Sequence, residues 1–497
     1  MEVKEIIFFT LVIIFSLLLS IFGNVYPFPN TDINQNLFFS ELLLKNKTLK
    51  FTNELNLKYG LIFGFRGFLN FGKDYFVPSI LPGLLLLTTL FKLLNIPLIF
   101  INVSASFLCL LFFYLIGKNF LFKNKNKSLI TSLLFFFSGP FFYLTAFLFK
   151  DLMATALFFA SLFAFLKGIK NERWLILFGI FSSLAIWFNY ANVIFFAPFF
   201  LIYKKEFFKA KKILLALVPF VILIAPLIFY HFYLYGGLFN FNKPLFSLNY
   251  PEFYKERKGV GHFLISINFK DFVKNLLFQL IFVNPLLIFL AFFGVKRKKI
   301  YYLLLSILFI QLVLFFSKEW SGAYLIGSIG TTYARYFLIS YGLLCFMATN
   351  GIEKLARKEL RPIIVLFLLF FGLFLSFFST YGIKDIIEVS IWTENLREKI
   401  EVYAKPNSIF FVGFYDKYIF PNTAAIYGSI EKEHRLNKTV GIIEKLVEDG
   451  YNVYLVNESY MGNYSFSNYA LLLEKRGLAV RREFDNFFKI EKNETKK

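Results

Sequence analysis

Cysteine and histidine are almost absent from this chain of 497 residues, which contains two cysteines and three histidines. Cys109 and Cys345 lie far apart inside apolar runs, so the sequence predicts neither a disulfide framework nor a thiolate metal site. The histidines are His231, His262 and His434, and the first two fall within residues 231–275, a predicted loop.

Ionisable side chains are also missing from the interiors of the long apolar runs, where Gln279, Asn284 and Gln311 are the most polar groups. Ion-coupled transporters and proton pumps place ionisable groups at mid-membrane, because the coupling ion binds there. This absence disfavours a polytopic transporter or lipid flippase, which is the main alternative. A lipid-modifying enzyme of another kind, or a structural or sensor protein, is a further alternative.

Apolar side chains dominate what is present. The chain is 57% hydrophobic, contains 74 phenylalanines and has a mean hydropathy of +0.61. Several runs approach or exceed the ~18 apolar residues typical of a membrane span. The sequence therefore predicts a polytopic α-helical membrane protein with about eleven spans, the first interpreted as a span and not a cleaved signal peptide. The predicted spans are 6–22, 97–117, 128–148, 152–168, 174–188, 191–203, 212–230, 276–294, 300–317, 336–350 and 362–380.

Charge decides the predicted orientation of these spans. Five short connections carry 20 lysines and arginines but only four acidic residues, which accounts for most of the formal net charge of +22. Basic loops face the cytoplasm in membrane proteins. We therefore expect a multi-pass protein of the cell membrane with a cytoplasmic N-terminus, and we do not expect nucleic acid as a partner. The five connections are "GKNFLFKNKNKS", "LKGIKNER", "KKEFFKAKK", "GVKRKK" and "EKLARKELR".

The predicted outer side holds three loops, 23–96, 231–275 and 317–335, and everything after about residue 381. Residues 1–380 are predicted to form a membrane-embedded domain. Residues 381–497 contain 17 basic and 17 acidic residues and are predicted to form a small extracytoplasmic α/β domain. Its predicted strands include "SIFFVGFYD" and "NVYLVNES", and its predicted helices, "TVGIIEKLVEDG" and "SNYALLLEKRG", each end at glycine.

Four segments carry a resemblance to a known family: "PNTDINQNLFFSELL", "VPSILPGLLLLTTLFKLLNIPL", "SGPFFYLTAFLFKDLMATALFFASL" and "WSGAYLIGSIGTTYARYFLISYGLL". Their order and topology resemble the GT-C superfamily of polyprenyl-phosphate-sugar glycosyltransferases over roughly residues 1–350. The relatives include protein O-mannosyltransferases, lipid A aminoarabinose transferases and RgtA-like membrane transferases. The resemblance also implies that residues 77–94, which look like a span, lie against the outer leaflet as a juxtamembrane helix.

The resemblance implies a reaction as well. A polyprenyl-phosphate or dolichyl-phosphate sugar would be the donor, and a glycan, lipid or protein would be the acceptor at the outer face of the membrane. Asp32 matches the acid of the first outer loop, which acts as the general base while the anomeric centre inverts. Asp32 also has a structural interpretation, since Asn30-Thr31-Asp32 would cap a helix that starts near Ile33.

Asp151 matches the second acid of the family, which could bind a metal, the acceptor or the sugar, and which would alternatively cap the helix at 152. Arg335 matches the basic position of the late outer loop and is expected to bind the donor phosphate with help from Tyr336. Lys150 and Arg66 are weaker phosphate-binding candidates.

The sequence departs from the family pattern at one position, and it leaves the use of a metal open. Relatives carry Lys-Pro or His-Pro before the juxtamembrane helix, whereas this chain has Val77-Pro78, which leaves the donor type in doubt. The sequence predicts no certain cofactor. Two lone carboxylates are a weak metal signature, so it leaves open whether a divalent metal takes part.

Overall fold

The computed structural model of this chain describes most of its residues, and everything below concerns those. The described residues are 2–25, 31–52, 54–59, 68–70, 75–237, 246–247, 269, 272–273, 276–277, 284–316, 335–379, 382–403, 407–412, 424–426, 433–457 and 466–493.

Helices make up most of the described chain, as the apolar runs predict. In chain order they are α1 (Val3–Val25), α2 (Thr31–Asn46), α3 (Glu54–Tyr59), α4 (Pro82–Leu93), α5 (Ile99–Ile116), α6 (Lys125–Phe136), α7 (Gly139–Ala146), α8 (Lys150–Gly168), α9 (Trp174–Phe188), α10 (Asn192–Phe195), α11 (Ala197–Ile202), α12 (Lys204–Phe207), α13 (Ala210–Tyr235), α14 (Pro285–Gly294), α15 (Lys299–Phe316), α16 (Leu338–Leu355), α17 (Arg361–Phe378), α18 (Ile383–Tyr403), α19 (Glu433–Glu448) and α20 (Phe466–Lys475). A π-helical turn, Gly117–Leu121, continues α5.

The described residues also contain eight strands. They are β1 (Phe68–Asn70), β2 (Val77–Pro78), β3 (Phe246–Ser247), β4 (Ser408–Val412), β5 (Ala424–Ile426), β6 (Asn452–Val456), β7 (Leu478–Phe484) and β8 (Phe487–Lys492). The strands and helices group into two compact units. Unit 1 contains residues 1–28, 81–230 and 261–388, and unit 2 contains residues 29–80, 231–260 and 389–497.

Unit 1 is a helical bundle with α8 at its centre. Helix α8 packs against α5 and α9. It is made almost entirely of apolar and small residues, and nearly all of its side chains are buried by protein. Helix α13 is the opposite case, because only 11% of its most apolar window is buried. A helix that is apolar on its exposed face is suited to a lipid environment, whereas α8 is enclosed by protein.

Five helical stretches in the described chain are long and apolar enough to cross a membrane: α1, Ile99–Leu121, α8, α13 and Arg361–Val402. A sixth is added if α6 and α7, which meet at a bend of 65°, count as one span. The predicted span 128–148 is therefore wrong as a single straight helix. The helix breaks before Gly139-Pro140, where proline lacks the N–H needed to continue the helix. Other apolar helices are shorter, and the predicted count of about eleven spans stays a prediction.

The five basic connections lie together at one end of unit 1, which we call the basic end. Ion pairs link them to one another and to the start of α1, and Lys296 lies within electrostatic range of both Lys127 and Glu353. This grouping agrees with the prediction that the five connections lie on the same side of the membrane. The pairs are Lys125–Glu2, Lys118–Glu5, Lys127–Glu353, Lys211–Glu172 and Lys299–Glu206.

The basic end also tests the segment 77–94. The Nζ of Lys118, just after α5, lies 2.7 Å from the carboxylate of Glu5 near the start of α1. The start of α1 and the end of α5 therefore lie at the same end of the bundle. The chain from the start of α1 to the end of α5 must cross the bundle an even number of times, and α1 and α5 account for two crossings. Helix α4, with 12 residues, is too short to span a bilayer. Both observations agree with the prediction that 77–94 is not a span.

Unit 2 is built around a five-stranded sheet with the order β5-β4-β6-β8-β7. Strands β5, β4 and β6 are parallel, with Ile409 opposite Val453, and β8 joins β6 antiparallel, with Phe488 opposite Leu455. Alternate residues of β4 and β6 are buried on both faces of the sheet. The predicted strands and helices of the tail are confirmed, and Gly450 and Gly477, which follow α19 and α20, adopt positive φ angles of 84° and 80°.

A segment of the first long loop completes the core of unit 2. Tyr59, at the end of α3, is buried in the same hydrophobic cluster as Ile409 and Val453. Its hydroxyl donates a hydrogen bond to Asp449, whose carboxylate also lies 2.9 Å from Lys58 Nζ. These contacts lower the pKa of Asp449 below its usual value. Residues distant in sequence therefore belong to one folded unit.

Candidate active site

A buried ion pair lies at the end of unit 1 opposite the basic end. Asp151 is in the first turn of α8, which ends at the basic end, and Arg335 precedes α16, which also ends there. The side chains of Asp151 and Arg335 are 2% and 8% exposed, and Nη1 of the arginine lies 3.8 Å from Oδ2 of the aspartate. The start of a helix favours a carboxylate, because the helix dipole is positive there.

This pair is loose for its degree of burial. Neither carboxylate oxygen of Asp151 forms a hydrogen bond within the described part of the chain. A separation of 3.8 Å exceeds ordinary hydrogen-bond length, so the pair attracts by charge alone. Buried carboxylates usually accept several hydrogen bonds, since desolvation is otherwise costly. Asp151 thus keeps its acceptor capacity for another group.

An aromatic ring packs against the guanidinium of Arg335. The Cζ of Arg335 lies 4.6 Å from the centroid of the Phe149 ring, a cation–π contact. Phe149 is buried and directly precedes Lys150, the first residue of α8. Lys150, a predicted phosphate ligand, is half-buried next to Asp151 in sequence.

Helix α7 sets the direction in which the chain enters α8, and small residues hold α7 in place. A Cβ on Gly372 would lie 1.9 Å from the carbonyl oxygen of Phe137, at the bend before α7. Ser376, one turn later on α17, donates a hydrogen bond of 3.2 Å to the carbonyl of Gly139. On the other side, a Cβ on Gly23 of α1 would lie 1.8 Å from the carbonyl oxygen of Ala146. Neighbouring backbones therefore touch α7 directly.

A buried amide positions the start of α16. The side chain of Gln311 is fully buried, its Nε2 donates to the carbonyl oxygen of Tyr336, and its Oε1 accepts from the hydroxyl of Ser340. Tyr336, the predicted partner of Arg335 in phosphate binding, is half-buried. Gln311 thereby fixes the backbone that follows Arg335.

Asp32 lies in unit 2, in the first turn of α2. The helix begins at Thr31, two residues earlier than expected, and the side chain of Asp32 is half-buried. Asn36 Nδ2 donates a hydrogen bond of 2.6 Å to the carbonyl oxygen of Asp32. The catalytic role of Asp32 stays a prediction, as does its convergence with Asp151 and Arg335.

The remaining predicted site positions add no functional group to the described site. Arg66 lies outside the described residues. Val77, which replaces the basic residue of the relatives, is 1% exposed in β2 and contributes no charge. Among the described residues no group of three or more His, Cys, Asp or Glu side chains could hold a metal ion. The described partner of Asp151 is a cation, so this pair by itself does not fit a divalent metal site.

Three residues around the ion pair were missed by the sequence analysis: Tyr143, Phe149 and Gln311. Phe149 and Tyr143 were hidden by the abundance of aromatic residues, because no pattern separates them from the other rings. Gln311 carried a signal, as one of the few polar side chains within a predicted span. The motif Ser138-Gly139-Pro140 was a second signal, since it marks the bend that orients α7.

The sequence matches no protein-family model and no curated protein. Its structure is similar to that of ArnT from Cupriavidus metallidurans bound to undecaprenyl phosphate, with 10% sequence identity, a TM-score of 0.55 and coverage of 99% of this chain and 98% of ArnT. The apo state of ArnT gives a TM-score of 0.58 at 9% identity, over 98% of this chain and 97% of ArnT.

The structure is also similar to the oligosaccharyltransferase of Archaeoglobus fulgidus, in a complex with zinc and sulfate. The identity is 13%, the TM-score is 0.52, and the match covers 97% of this chain and 73% of that one. Both proteins are GT-C glycosyltransferases. The similarity confirms the resemblance predicted from the sequence: this chain has the fold of the GT-C superfamily of membrane glycosyltransferases.

Proposed function

We propose that the protein is an integral membrane glycosyltransferase that takes a sugar from a polyprenyl-phosphate or dolichyl-phosphate donor. The acceptor is a hydroxyl group of a glycan, lipid or protein at the outer face of the membrane. The fold supports this proposal at the level of the superfamily. The observation that carries it is the buried pair of Asp151 and Arg335, opposite the basic end, with both carboxylate oxygens available to accept hydrogen bonds.

In the proposed reaction the acceptor oxygen attacks the anomeric carbon of the donor sugar. Asp32 accepts the proton of the acceptor hydroxyl as the new bond forms, a role for general bases that contributes about 10²–10⁴-fold to rate. The bond from the anomeric carbon to the phosphate oxygen breaks, and its electron pair stays on the lipid phosphate. Attack from the face opposite the leaving group inverts the anomeric centre.

The leaving phosphate gains negative charge, which a positioned cation stabilises. Arg335 supplies that charge, because its guanidinium is held over Phe149 but is not hydrogen-bonded to Asp151 at 3.8 Å. Lys150 and Tyr336 flank the pair and are the further candidates for phosphate contacts. Asp151 keeps the guanidinium oriented and accepts hydrogen bonds from hydroxyl groups of the sugar.

The basic end supports the proposed sidedness. With its loops in the cytoplasm, as the positive-inside rule requires, the pair of Asp151 and Arg335 faces the outer leaflet. The tail that follows α17 is then extracytoplasmic. This places the chemistry where a lipid-linked sugar would meet an external acceptor.

An in vitro transfer assay with a panel of polyprenyl-phosphate and dolichyl-phosphate sugars tests the proposal. The assay compares the activity of the wild type with that of Asp32→Asn. We expect transfer by the wild type and a loss of about 100-fold or more in the variant. Glu41→Gln is the matched control, because it removes an exposed carboxylate from the same helix. Full activity of folded Asp32→Asn would show that Asp32 is not the base. No transfer from any donor by the wild type would refute the proposed activity.

A further inference from the structure

The hydroxyl group of Tyr143 is buried without a hydrogen-bond partner among the described residues. Tyr143 lies on α7 and is fully buried, and its hydroxyl forms no hydrogen bond within the described part of the chain. Buried tyrosine hydroxyls are normally hydrogen-bonded, since leaving one unsatisfied costs its hydration. If only a ring were needed here, phenylalanine would fill the space without that cost. This chain uses phenylalanine 74 times and tyrosine 28 times.

Tyr143 belongs to the same side-chain cluster as the ion pair. Its ring lies 5.1 Å from that of Phe147, and the Phe147 ring lies 6.5 Å from that of Phe149, on which Arg335 rests. Tyr143 is also within electrostatic range of Arg335 and of Asp385. The hydroxyl is therefore part of the guanidinium's surroundings and not of a remote core.

Three buried oxygen atoms in this cluster form no hydrogen bond within the described residues: the hydroxyl of Tyr143 and both carboxylate oxygens of Asp151. The carboxylate can only accept hydrogen bonds, whereas the hydroxyl can donate one. A ligand that satisfies the cluster must therefore offer an acceptor near Tyr143 and a donor near Asp151. A sugar phosphate has both, in its phosphate oxygens and its hydroxyl groups.

An anion entering this cluster would lose most of its hydration, because Tyr143, Asp151 and Arg335 are all buried. Hydrogen bonds from a neutral hydroxyl to an anion are short and strong in such surroundings. The guanidinium lies 3.8 Å from Asp151, too far for a hydrogen bond, so contact with an anion would break no hydrogen bond between these two side chains. A charged and a neutral donor would then bind the same phosphate.

We propose that Tyr143 is a ligand of the lipid donor, whose hydroxyl donates a hydrogen bond to a phosphate oxygen that Arg335 also contacts. This inference rests on the proposed function, because the phosphate belongs to the polyprenyl-phosphate donor. It assigns to α7 a direct role in donor binding in addition to its role in orienting the start of α8.

The test is binding of undecaprenyl phosphate to the purified full-length protein in nanodiscs, for wild type, Tyr143→Phe and Tyr301→Phe. Tyr301 is a matched control: it is equally buried, but its hydroxyl accepts a hydrogen bond from Asn350 at the opposite end of unit 1. Apparent melting temperatures are measured in parallel. Undecaprenol, which lacks the phosphate, is the control ligand.

We expect Tyr143→Phe to weaken binding of undecaprenyl phosphate by about tenfold or more, with no fall in melting temperature, since it removes an unsatisfied group. Tyr301→Phe should do the reverse, lowering the melting temperature and leaving binding unchanged. Binding of undecaprenol should be the same in all three proteins.

Two outcomes would overturn the inference while leaving the proposed function intact. The first is wild-type affinity of Tyr143→Phe for undecaprenyl phosphate, which would mean that the hydroxyl binds only water. The second is an equal loss of affinity for undecaprenol, which would mean that the substitution disturbs the tail site. If wild type binds neither undecaprenyl phosphate nor dolichyl phosphate, the proposed function fails and the inference fails with it.

Discussion

The two ends of unit 1 are both charged, but their charges are arranged in opposite ways. At the basic end, several lysines pair with acids on neighbouring segments, and most of these side chains are substantially exposed, such as Lys211 at 78% and Lys299 at 59%. At the other end the pair of Asp151 with Arg335 is almost completely buried. Among the described residues, the basic end therefore has several pairs that are mostly solvated, whereas the pair at the other end is desolvated.

Membrane orientation explains the first arrangement, but stability does not explain the second. Exposed ion pairs contribute about 0–1 kcal/mol each. The excess of lysine and arginine at this end mainly sets the orientation in the membrane. A buried pair that lacks good hydrogen-bond geometry returns less than its desolvation costs, and apolar residues of similar volume often replace it without loss. The pair of Asp151 and Arg335 is therefore best explained by what it binds.

The sharpest way to break the comparison is to remove one member of the buried pair. Arg335→Met removes the guanidinium that lies beside the buried carboxylate of Asp151, so we expect the free energy of unfolding to fall by about 3–5 kcal/mol. The double variant Arg335→Met with Asp151→Leu should recover most of that stability and still transfer no sugar. Thermal unfolding and the transfer assay measure the two effects separately.

The double variant also decides what the pair is for. Stability that stays low in the double variant, together with retained transfer, would mean that the pair is structural. Unchanged stability of Arg335→Met alone would mean that the two charges are not coupled.

A smaller effect is expected where α17 touches the bend between α6 and α7. Gly372→Ala places a Cβ 1.9 Å from the carbonyl oxygen of Phe137, so the two backbones must separate. We expect a loss of about 1–3 kcal/mol in unfolding free energy, together with weaker binding of undecaprenyl phosphate, because α7 shifts. Apparent melting temperature and lipid binding measure the two consequences.

Gly441→Ala is the control for that substitution. Gly441 lies within α19 of unit 2, and the nearest atom to its Cβ would be 3.7 Å away, so alanine fits and improves helix propensity by up to about 1 kcal/mol. Equal behaviour of the two variants would show that α17 does not hold the bend.

The smallest effect is expected at the basic end. Lys299 holds the pKa of Glu206 below its usual value of 4.5. The pair therefore stabilises the folded state above about pH 4.5, and this contribution disappears as pH falls through the lowered pKa. Glu206→Gln should cost no more than about 1 kcal/mol at neutral pH, and less in high salt.

Melting curves of Glu206→Gln and wild type at several pH values and salt concentrations measure this effect. Glu172→Gln, which breaks the pair with Lys211, should behave in the same way. A loss comparable to that of Arg335→Met would contradict the contrast between the two ends.

Sequence reasoning reached the elements that depend on local signals. Hydrophobic runs gave α9 its observed bounds of 174 and 188, and the glycines after α19 and α20 marked where those helices end. It identified Asp151 and Arg335, which the fold brings within 3.8 Å although 184 positions separate them. It missed Tyr143 and Phe149, because an aromatic residue becomes informative only when its neighbours in space are known. It also drew α6 and α7 as one helix, since hydropathy does not register a bend.

Unit 2 combines segments from three distant parts of the chain, and α3 is buried against strands that are synthesised much later. Tyr59 and Leu55 therefore have no apolar surface to cover until the ribosome has made the sheet between residues 408 and 492. During synthesis the first long loop, which connects helices of unit 1, therefore cannot pack until the sheet has formed. A chain that stopped at residue 388 would leave that loop without the sheet against which it packs. Loss of the tail would therefore destabilise a segment near the beginning of the protein.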